Sequence, residues 1–418
     1  MSRPKTADLA LMRKLNTTTV MDCLRRHAPL SRAELSVKTG LNRSTISSIV
    51  DDLIDQGYVH ETMLQDSKIG RPGILLQFNP QGGCAVGVEI GVDFLLVLLT
   101  NFTAGILWQR RVPHTVNDVS DPLRGQIAVL ERAETMISEA LEFGKTLDLR
   151  PLGIGVGVPG LVDANQGKLV FAPNLKWQDT PIRLMWTRRF NLPVFVENEA
   201  NCAALGEFYY GVAHDVNDFI HISTGIGLGG GIMLNGHLFK GARGYAGEIG
   251  HTTIYEDGEV CGCGRRGCWE TYAGPRALLH RVRQVLQHMD TASAAQSPLL
   301  GMVNGEIEQI TPQHVVDAAR HGDEVALNAL KEVGRHLAIG ITNLANIFNP
   351  EMVVLGGALS LCGPWLIPII REYTNKNLLP PLRGSLRIEA SVQGLDACAL
   401  GAATLVLDDI VREPLYSI

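Results

Sequence analysis

His251, Cys261, Cys263 and Cys268 fall within eighteen residues of one another, in the segments GEIGH and TIYEDGEVCGCGRRGCWE. A neutral imidazole with three thiolates is a complete tetrahedral donor set for zinc, with no position left for water or substrate. Such a closed site holds a loop and does not activate a nucleophile, so the expected ion is a structural Zn2+. Gly262, Gly264 and Gly267 tolerate positive φ and let the sulfurs converge. Cysteines that merely pack as small hydrophobes do not fall as C-G-C-G-x-x-G-C among charged residues. Glu248 precedes the histidine by three residues and Glu270 follows the last cysteine by two. Two carboxylates and an imidazole on one stiffened loop can accept paired hydrogen bonds from the vicinal hydroxyls of a polyhydroxylated ligand.

Those residues need a scaffold, and the 418-residue chain has room for two or three domains. A hydrophobic share of 45% and 44 glycines suit an α/β protein with sizeable cores. No apolar run approaches the length of a membrane span, so no membrane partner is expected. The start, MSRPKTADLALMRK, lacks the apolar stretch of a secretion signal. Cys23, Cys84, Cys202, Cys362 and Cys398 are scattered in apolar contexts, as buried free thiols of a reducing cytoplasm would be. Charge is uneven: residues 1–80 carry eleven Lys/Arg against eight Asp/Glu, the remainder 26 against 35. A small basic module on an acidic body suits a DNA-binding head on a ligand-sensing domain.

The first eighty residues carry helix punctuation. A helix is expected from Asn16, with Val20, Met21 and Leu24 inward, stopping before Pro29. Ser31 and Glu34 form a capping box for a second helix ending at Gly40. Asn42 caps a third, whose Ile46, Ile49, Val50, Leu53 and Ile54 make one apolar stripe ending at Gly57. Helix, glycine-containing turn, helix is the helix-turn-helix arrangement. The outward residues Arg43, Ser44, Thr45, Ser47, Ser48 and Asp51 suit base edges and phosphates in a major groove. Strands at Tyr58–His60 and Gly73–Phe78 would form a wing whose tip carries Lys68 and Arg71, placed for backbone or minor-groove contact. Asn79 to Gly83 reads as a linker.

The motif E-x-G-H followed by C-x-C-G-x-x-G-C-x-E resembles that of the ROK family of sugar kinases and sugar-responsive repressors, from about residue 82 to the end. The G-R-P at the wing is similar to that of the family's repressors. The strands CAVGVEI, FLLVLLTN and GILWQRRV, a helix over 121–144, PLGIGVGVPG, and a second strand-rich start at NDFIHISTGIGLGGGIML read as two βββαβα halves. The resemblance implies an α/β chain with an N-terminal winged helix-turn-helix domain (1–80) and a two-lobed actin-like (hexokinase/ROK) ATPase fold (81–418). A ligand cleft is expected between the lobes, and the last helix, around Ala397–Leu407, is expected to return to the first lobe. By the family's motifs, Asn174 in APNLKW, Asn198 and Glu199 in VENEAN, Glu248, His251 and Glu270 would bind the hydroxyls of one sugar ring.

Two departures bear on activity. Family kinases carry E-N-D, whose aspartate is the catalytic base; here the residues are Glu197, Asn198 and Glu199. The extra methylene shifts the carboxylate by about 1.5 Å, and a misplacement of about 1 Å can lower rate 10²-fold. Family kinases also begin with D-x-G-G-T, replaced here by Glu89-Ile-Gly91-Val92-Asp93, which puts a β-branched side chain and a carboxylate where phosphate would sit. The later Ser223–Gly231 glycine loop and Leu355-Gly-Gly-Ala358 persist. The expectation is a non-enzymatic, sugar-responsive repressor, a homodimer or tetramer with operator DNA and a monosaccharide effector as partners. E-N-E with Gly244-Tyr-Ala-Gly-Glu248 looks most like the family's xylose-responsive members, a glucose-like ligand being the other option. An ATP-dependent sugar kinase fused to a DNA-binding head, or a repressor governed by a partner protein, are the alternatives.

Overall fold

In the computed structural model, the residues described are 9–64, 74–114, 122–290 and 297–412. They form two compact units, Met1–Asn198 with Ala399–Ile418, and Glu199–Cys398.

The first unit opens with α1 (Leu9–His27), β1 (Leu30–Ser31), α2 (Arg32–Thr39), α3 (Arg43–Asp55), β2 (Val59–Leu64) and β3 (Ile74–Phe78). Ser31 Oγ accepts the Glu34 amide at 3.3 Å while the Glu34 carboxylate accepts the Ser31 amide at 2.8 Å, the reciprocal cap that starts α2. Gly40, at φ +72°, closes α2, and the Asn42 side chain caps α3 through the Thr45 amide. Ile46, Ile49, Val50 and Leu53 are buried and Ile54 half-buried at the stripe's edge. Helix α1 begins seven residues before the expected Asn16. Ala10, Leu11, Met12, Arg13 and Lys14 are all strong helix formers, so Asn16 lies inside the helix and caps nothing. The two-residue β1 pairs with β3, giving a three-stranded order β1-β3-β2 where a simple hairpin was expected. Residues 79–83 are packed in place. Pro80–Gly82 is a 3-10 turn, Asn79 Nδ2 donates to Gly57 O at 2.9 Å, and Tyr58 stacks on Phe102 with centroids 5.0 Å apart.

Next come β4 (Cys84–Ile90), β5 (Phe94–Asn101), β6 (Ile106–Pro113), α4 (Pro122–Thr146), β7 (Pro151–Val158), the antiparallel β8 (Leu161–Asp163), β9 (Lys168–Ala172) and β10 (Trp177–Thr180), α5 (Ile182–Phe190) and β11 (Val194–Asn198). The main sheet runs β11-β7-β4-β5-β6. On α4 the buried Val129, Leu130, Ala133, Met136, Ile137 and Ala140 follow helical spacing and cover it.

The second unit contains α6 (Glu199–Tyr210), β12 (Phe219–Thr224), β13 (Leu228–Leu234), β14 (His237–Leu238), α7 (Glu270–Ala273), α8 (Pro275–Gln287), α9 (Pro298–Met302), α10 (Pro312–Arg320), α11 (Glu324–Phe348), β15 (Met352–Leu355), α12 (Gly363–Asn377) and β16 (Arg387–Ala390); α13 (Ala397–Arg412) follows. Its sheet order, β14-β13-β12-β15-β16, repeats that of the first unit strand for strand. Each half is thus βββαβαβα, one strand and one helix longer than the expected repeat. The first half inserts β8–β10 before α5, and the second inserts the cysteine loop and α7–α10 before α11. No helix among the described residues is long and apolar enough to cross a membrane.

Most of α13 belongs to the first unit, as expected of the last helix, and it lies almost on the sheet. A Cβ at Gly87 would stand 2.0 Å from Ala399 O, and one at Gly155 1.7 Å from Ala402 O. Only glycine permits that approach. Gly155→Ala should therefore destabilise the chain by about 2–3 kcal/mol in denaturant titration. Gly225→Ala, where a Cβ meets nothing within 4 Å, should stay within about 1 kcal/mol of the parent. Equal midpoints for the two variants would refute the glycine-mediated contact.

Candidate functional site

Between β14 and α7 the chain has little ladder structure. A 3-10 turn covers Ile249–His251, and two isolated bridges join Thr253 to Cys268 and Val260 to Arg266. A turn in which Gly264 N–H donates to Cys261 O at 2.9 Å and Cys261 N–H to Arg265 O at 2.8 Å brings the cysteines round. One ligand atom from each of His251, Cys261, Cys263 and Cys268 lies within 4.8 Å of the others. The Cys263 and Cys268 sulfurs are 3.7 Å apart, and Cys261 Sγ is 3.8 Å from His251 Nδ1. Tetrahedral zinc with Zn–S of about 2.3 Å separates its sulfurs by about 3.8 Å, so the donor set fits this ion. Arg265 donates to His251 O at 2.8 Å and steadies the imidazole-bearing turn.

The loop is fastened to α11 by aromatics. Trp269 is buried, its Nε1–H donates to His336 O at 2.8 Å, and a Cβ at Gly340 would meet its ring at 2.1 Å. Tyr272 stacks on His336 with centroids 5.4 Å apart, and its hydroxyl accepts the Glu259 amide at 2.6 Å. Glu270 sits between these two anchored rings. Its Oε1 accepts the Cys261 thiol at 2.9 Å and lies 3.4 Å from His251 Nδ1, while Oε2 is 3.4 Å from the Leu228 amide. His251 Nε2 is 4.0 Å from Glu248 Oε2. Burial, and then the charge of Glu248, push the Glu199 carboxyl up to about 7. Glu248 is itself raised, first by burial, with His251 opposing and Glu270 adding. The second unit thus gathers Glu199, Glu248, His251 and Glu270, a group rich in acceptors and suited to hydroxyl donors. Asn174 and Asn198 belong to the first unit. Asn174 is exposed on the turn between β9 and β10, and Asn198 Nδ2 donates to Gly160 O at 3.0 Å.

The two units also carry the loops expected at a nucleotide. In the first, Phe94 lies against Gly91, where a Cβ would be 2.5 Å from the ring, and Arg111 covers that ring at 4.1 Å. His114 Nε2 donates to Gly91 O at 3.0 Å. In the second, the Thr224 hydroxyl donates to Gly356 O and accepts the Leu359 amide at 3.0 Å. This ties the start of the 223–231 loop to the turn at Gly356 and Gly357.

On the head, Arg43, Ser44 and Ser48 are exposed, with Thr45 and Ser47 half-buried beside them. Ser44 Oγ donates to Asn42 Oδ1 at 2.7 Å, and Ser48 Oγ accepts from Arg13 at 3.3 Å. Lys68 and Arg71 lie outside the described residues. Two basic residues were missed by sequence reasoning: Arg13, paired with Asp52, and Arg32, which reaches Asp51 at 2.9 Å and Glu61 at 2.7 Å. The adjacent acids Asp51 and Asp52 on the outward helix were the available signal, since a nucleic-acid face needs them neutralised.

The ROK family model matches residues 85–409, and a MarR family model matches residues 15–65. The chain belongs to the ROK family. This ROK chain is 36% identical over 407 residues to the xylose repressor of Caldicellulosiruptor bescii, covering 97% of this chain and 99% of that one. Among solved structures, a ROK family transcriptional regulator, a homologue of the E. coli MLC protein, superposes with a TM-score of 0.79 at 28% identity over 96% and 97% of the two chains. A ROK family glucokinase from Streptomyces griseus, in complex with glucose and AMPPNP, gives a TM-score of 0.67 at 33% identity, over 77% of this chain and 99% of that one. The expected fold class, a winged helix-turn-helix followed by the ROK actin-like fold, is the one found.

Glu199 supplies a test of the site's electrostatics. Its carboxyl ionises at about 7 in the folded chain and near 4.5 when unfolded, so the folded state keeps a proton that the unfolded chain has lost. The stability tied to that proton is present below pH 4.5 and lost as pH rises through about 7. Glu199→Gln should flatten the decline measured by denaturant titration across this window. An unchanged pH slope would show that the carboxyl ionises normally.

Proposed function

We propose that this chain is a sugar-responsive, DNA-binding transcriptional repressor of carbohydrate-utilisation genes. A winged helix-turn-helix domain over residues 1–80 would bind operator DNA, and residues 81–418 would sense a monosaccharide, xylose or a glucose-like sugar. The observation that carries the reading is one chain joining a capped helix-turn-helix to a loop where a four-donor metal set and three carboxylates converge. In this reading Zn2+ on His251, Cys261, Cys263 and Cys268 is structural and sets the shape of the ligand loop. Glu199, Glu248, His251 and Glu270 accept hydrogen bonds from sugar hydroxyls; Asn174 and Asn198 join them by the family's pattern. The near full-length similarity to the xylose repressor of Caldicellulosiruptor bescii supports both the regulatory role and the sugar class.

Arg43, Ser44, Thr45, Ser47 and Ser48, with Lys68 and Arg71 at the wing, are assigned to the DNA. In a cytoplasmic homodimer or tetramer, two recognition helices must sit one turn of DNA apart, roughly 34 Å. A sugar that favours one arrangement of the heads therefore shifts the population able to dock both at once.

The other reading is an ATP-dependent sugar kinase, favoured by the likeness to the glucokinase and by the persistence of Ser223 to Gly231. Glu89, Val92, Asp93 and Glu199 stand against it, because they alter the phosphate-facing loop and the catalytic base. Xylose and glucose titrations of the protein on operator DNA decide between them. Wild type should respond to a sugar, and Glu248→Ala should need tenfold or more of it, as loss of a charged hydrogen bond worth about 1.5–3 kcal/mol predicts. Sugar-free operator affinity should stay unchanged in that variant. Steady sugar-dependent ADP formation from ATP and magnesium, lost in Glu199→Ala, would establish the kinase instead.

The DNA face has its own check. Arg43→Ala should lower operator affinity by about 1–3 kcal/mol if the side chain reads a guanine. Undiminished binding would assign recognition to another surface.

A further inference from the structure

Cys263 is exposed, whereas Cys84, Cys202, Cys261, Cys268, Cys362 and Cys398 are buried and Cys23 is half-buried. Its sulfur stands 3.7 Å from that of Cys268. A disulfide requires closure to about 2.05 Å, so one side must move. Cys263 sits at the tip of the turn closed by Gly264 N–H on Cys261 O, and Gly264 has φ +86° with nothing within 4 Å of a would-be Cβ. Cys268 is held in its bridge to Thr253, and the next residue, Trp269, donates its amide to Thr252 O at 2.8 Å. The geometry therefore pairs an accessible, movable sulfur with a fixed neighbour in reach.

We propose that Cys263 and Cys268 form a hydroperoxide-responsive thiol pair whose oxidation releases the loop's zinc, an inference that rests on the zinc assignment above. The Cys263 thiolate attacks one peroxide oxygen; an S–O bond forms, the O–O bond breaks, and the departing hydroxide takes a proton from solvent. The Cys268 thiolate then attacks the Cys263 sulfenic sulfur, forming S–S and expelling a second hydroxide, which is also protonated. Two thiolates, one hydrogen peroxide and two protons thus give one disulfide and two waters. Peroxide is reduced by two electrons, one from each thiolate. His251 and Cys261 alone are half of a closed zinc set, so the ion leaves. Glu248 and Glu270 lose their brace, while the DNA-binding head contributes none of the four donors. Oxidation would uncouple sugar sensing from operator binding.

The test uses the full-length zinc-loaded protein, its metal content measured first, titrated with hydrogen peroxide beside a chromogenic zinc chelator. Trypsin cuts at Arg265 and Arg266, leaving Cys268 on one peptide and Cys263, with Cys261, on another, and fragmentation of the linked pair locates the bond. Loss of the bound zinc together with a Cys263–Cys268 link, with Cys84, Cys202 and Cys362 still reduced, is the expected result. Dithiothreitol with added zinc should reverse it. The variant Cys263→His, which keeps a zinc donor but has no thiol, should hold its zinc through the same titration. Zinc retained by the wild type, or oxidised thiols without that link, would overturn the proposal. Protein lacking zinc before any peroxide would sink the metal assignment separately, and the zinc-release proposal with it.

Discussion

The segment of the second unit that carries Glu248 and Glu270 is organised around four donor atoms meeting within 4.8 Å. Residues 252–268 carry two isolated β-bridges and no continuous ladder, so turn hydrogen bonds such as Gly264 N–H to Cys261 O and Gly267 N–H to Glu259 O set their course locally. Side chains add the longer-range fastenings. Aromatic packing of Trp269 and Tyr272 on His336 fastens one end to α11, and the His251/cysteine cluster gathers the rest. Glu270 lies at the junction of these two fastenings and Glu248 one turn before the imidazole. A carboxylate held from both sides surrenders little rotamer freedom on meeting a hydroxyl, which is what preorganisation contributes to binding.

Elsewhere the glycine-bearing turns of both units are closed by the chain's own side chains. Phe94 and His114 close on the Gly91 turn in the first unit, and the Thr224 hydroxyl is committed to Gly356 and Leu359 in the second. These internal contacts make both turns firm parts of their sheets. Glycine-rich turns can serve as ordinary sheet closures, so their presence in a sequence says little about phosphate.

Much of this could be read from residue order because the decisive signals are local. Ser31 with Glu34, Gly40 and Asn42 act within one helical turn, and all three caps form. The convergence of His251 with Cys261, Cys263 and Cys268 was legible for the same reason. Where signals were weak or distant, reading failed. Helix α1 has no N-terminal punctuation near Asn16, and Leu30–Ser31 is too short for strand alternation. The β8–β10 sheet between Leu161 and Thr180 was missed, its strands three to five residues long. The pairs of Arg13 with Asp52 and of Arg32 with Glu61 join residues far apart in the chain, beyond any spacing rule. Asn174 and Asn198 came from motif likeness alone, and within their own unit they are a turn residue and a strand-end amide.

The placement of α13 also bears on how the protein is made. The first unit is interrupted: Glu199–Cys398 are inserted before the helix that seals its sheet at Gly87 and Gly155. On the ribosome, strands β4 to β11 emerge long before their cover exists. At about 5–20 residues per second, translating the intervening segment takes on the order of 10–40 s. During that interval the glycine-lined face is open, while the second unit can already fold around its own α6. The head-bearing unit is therefore completed last, although it is begun first. In a nascent chain that sheet face stays without its covering helix until α13 has been made.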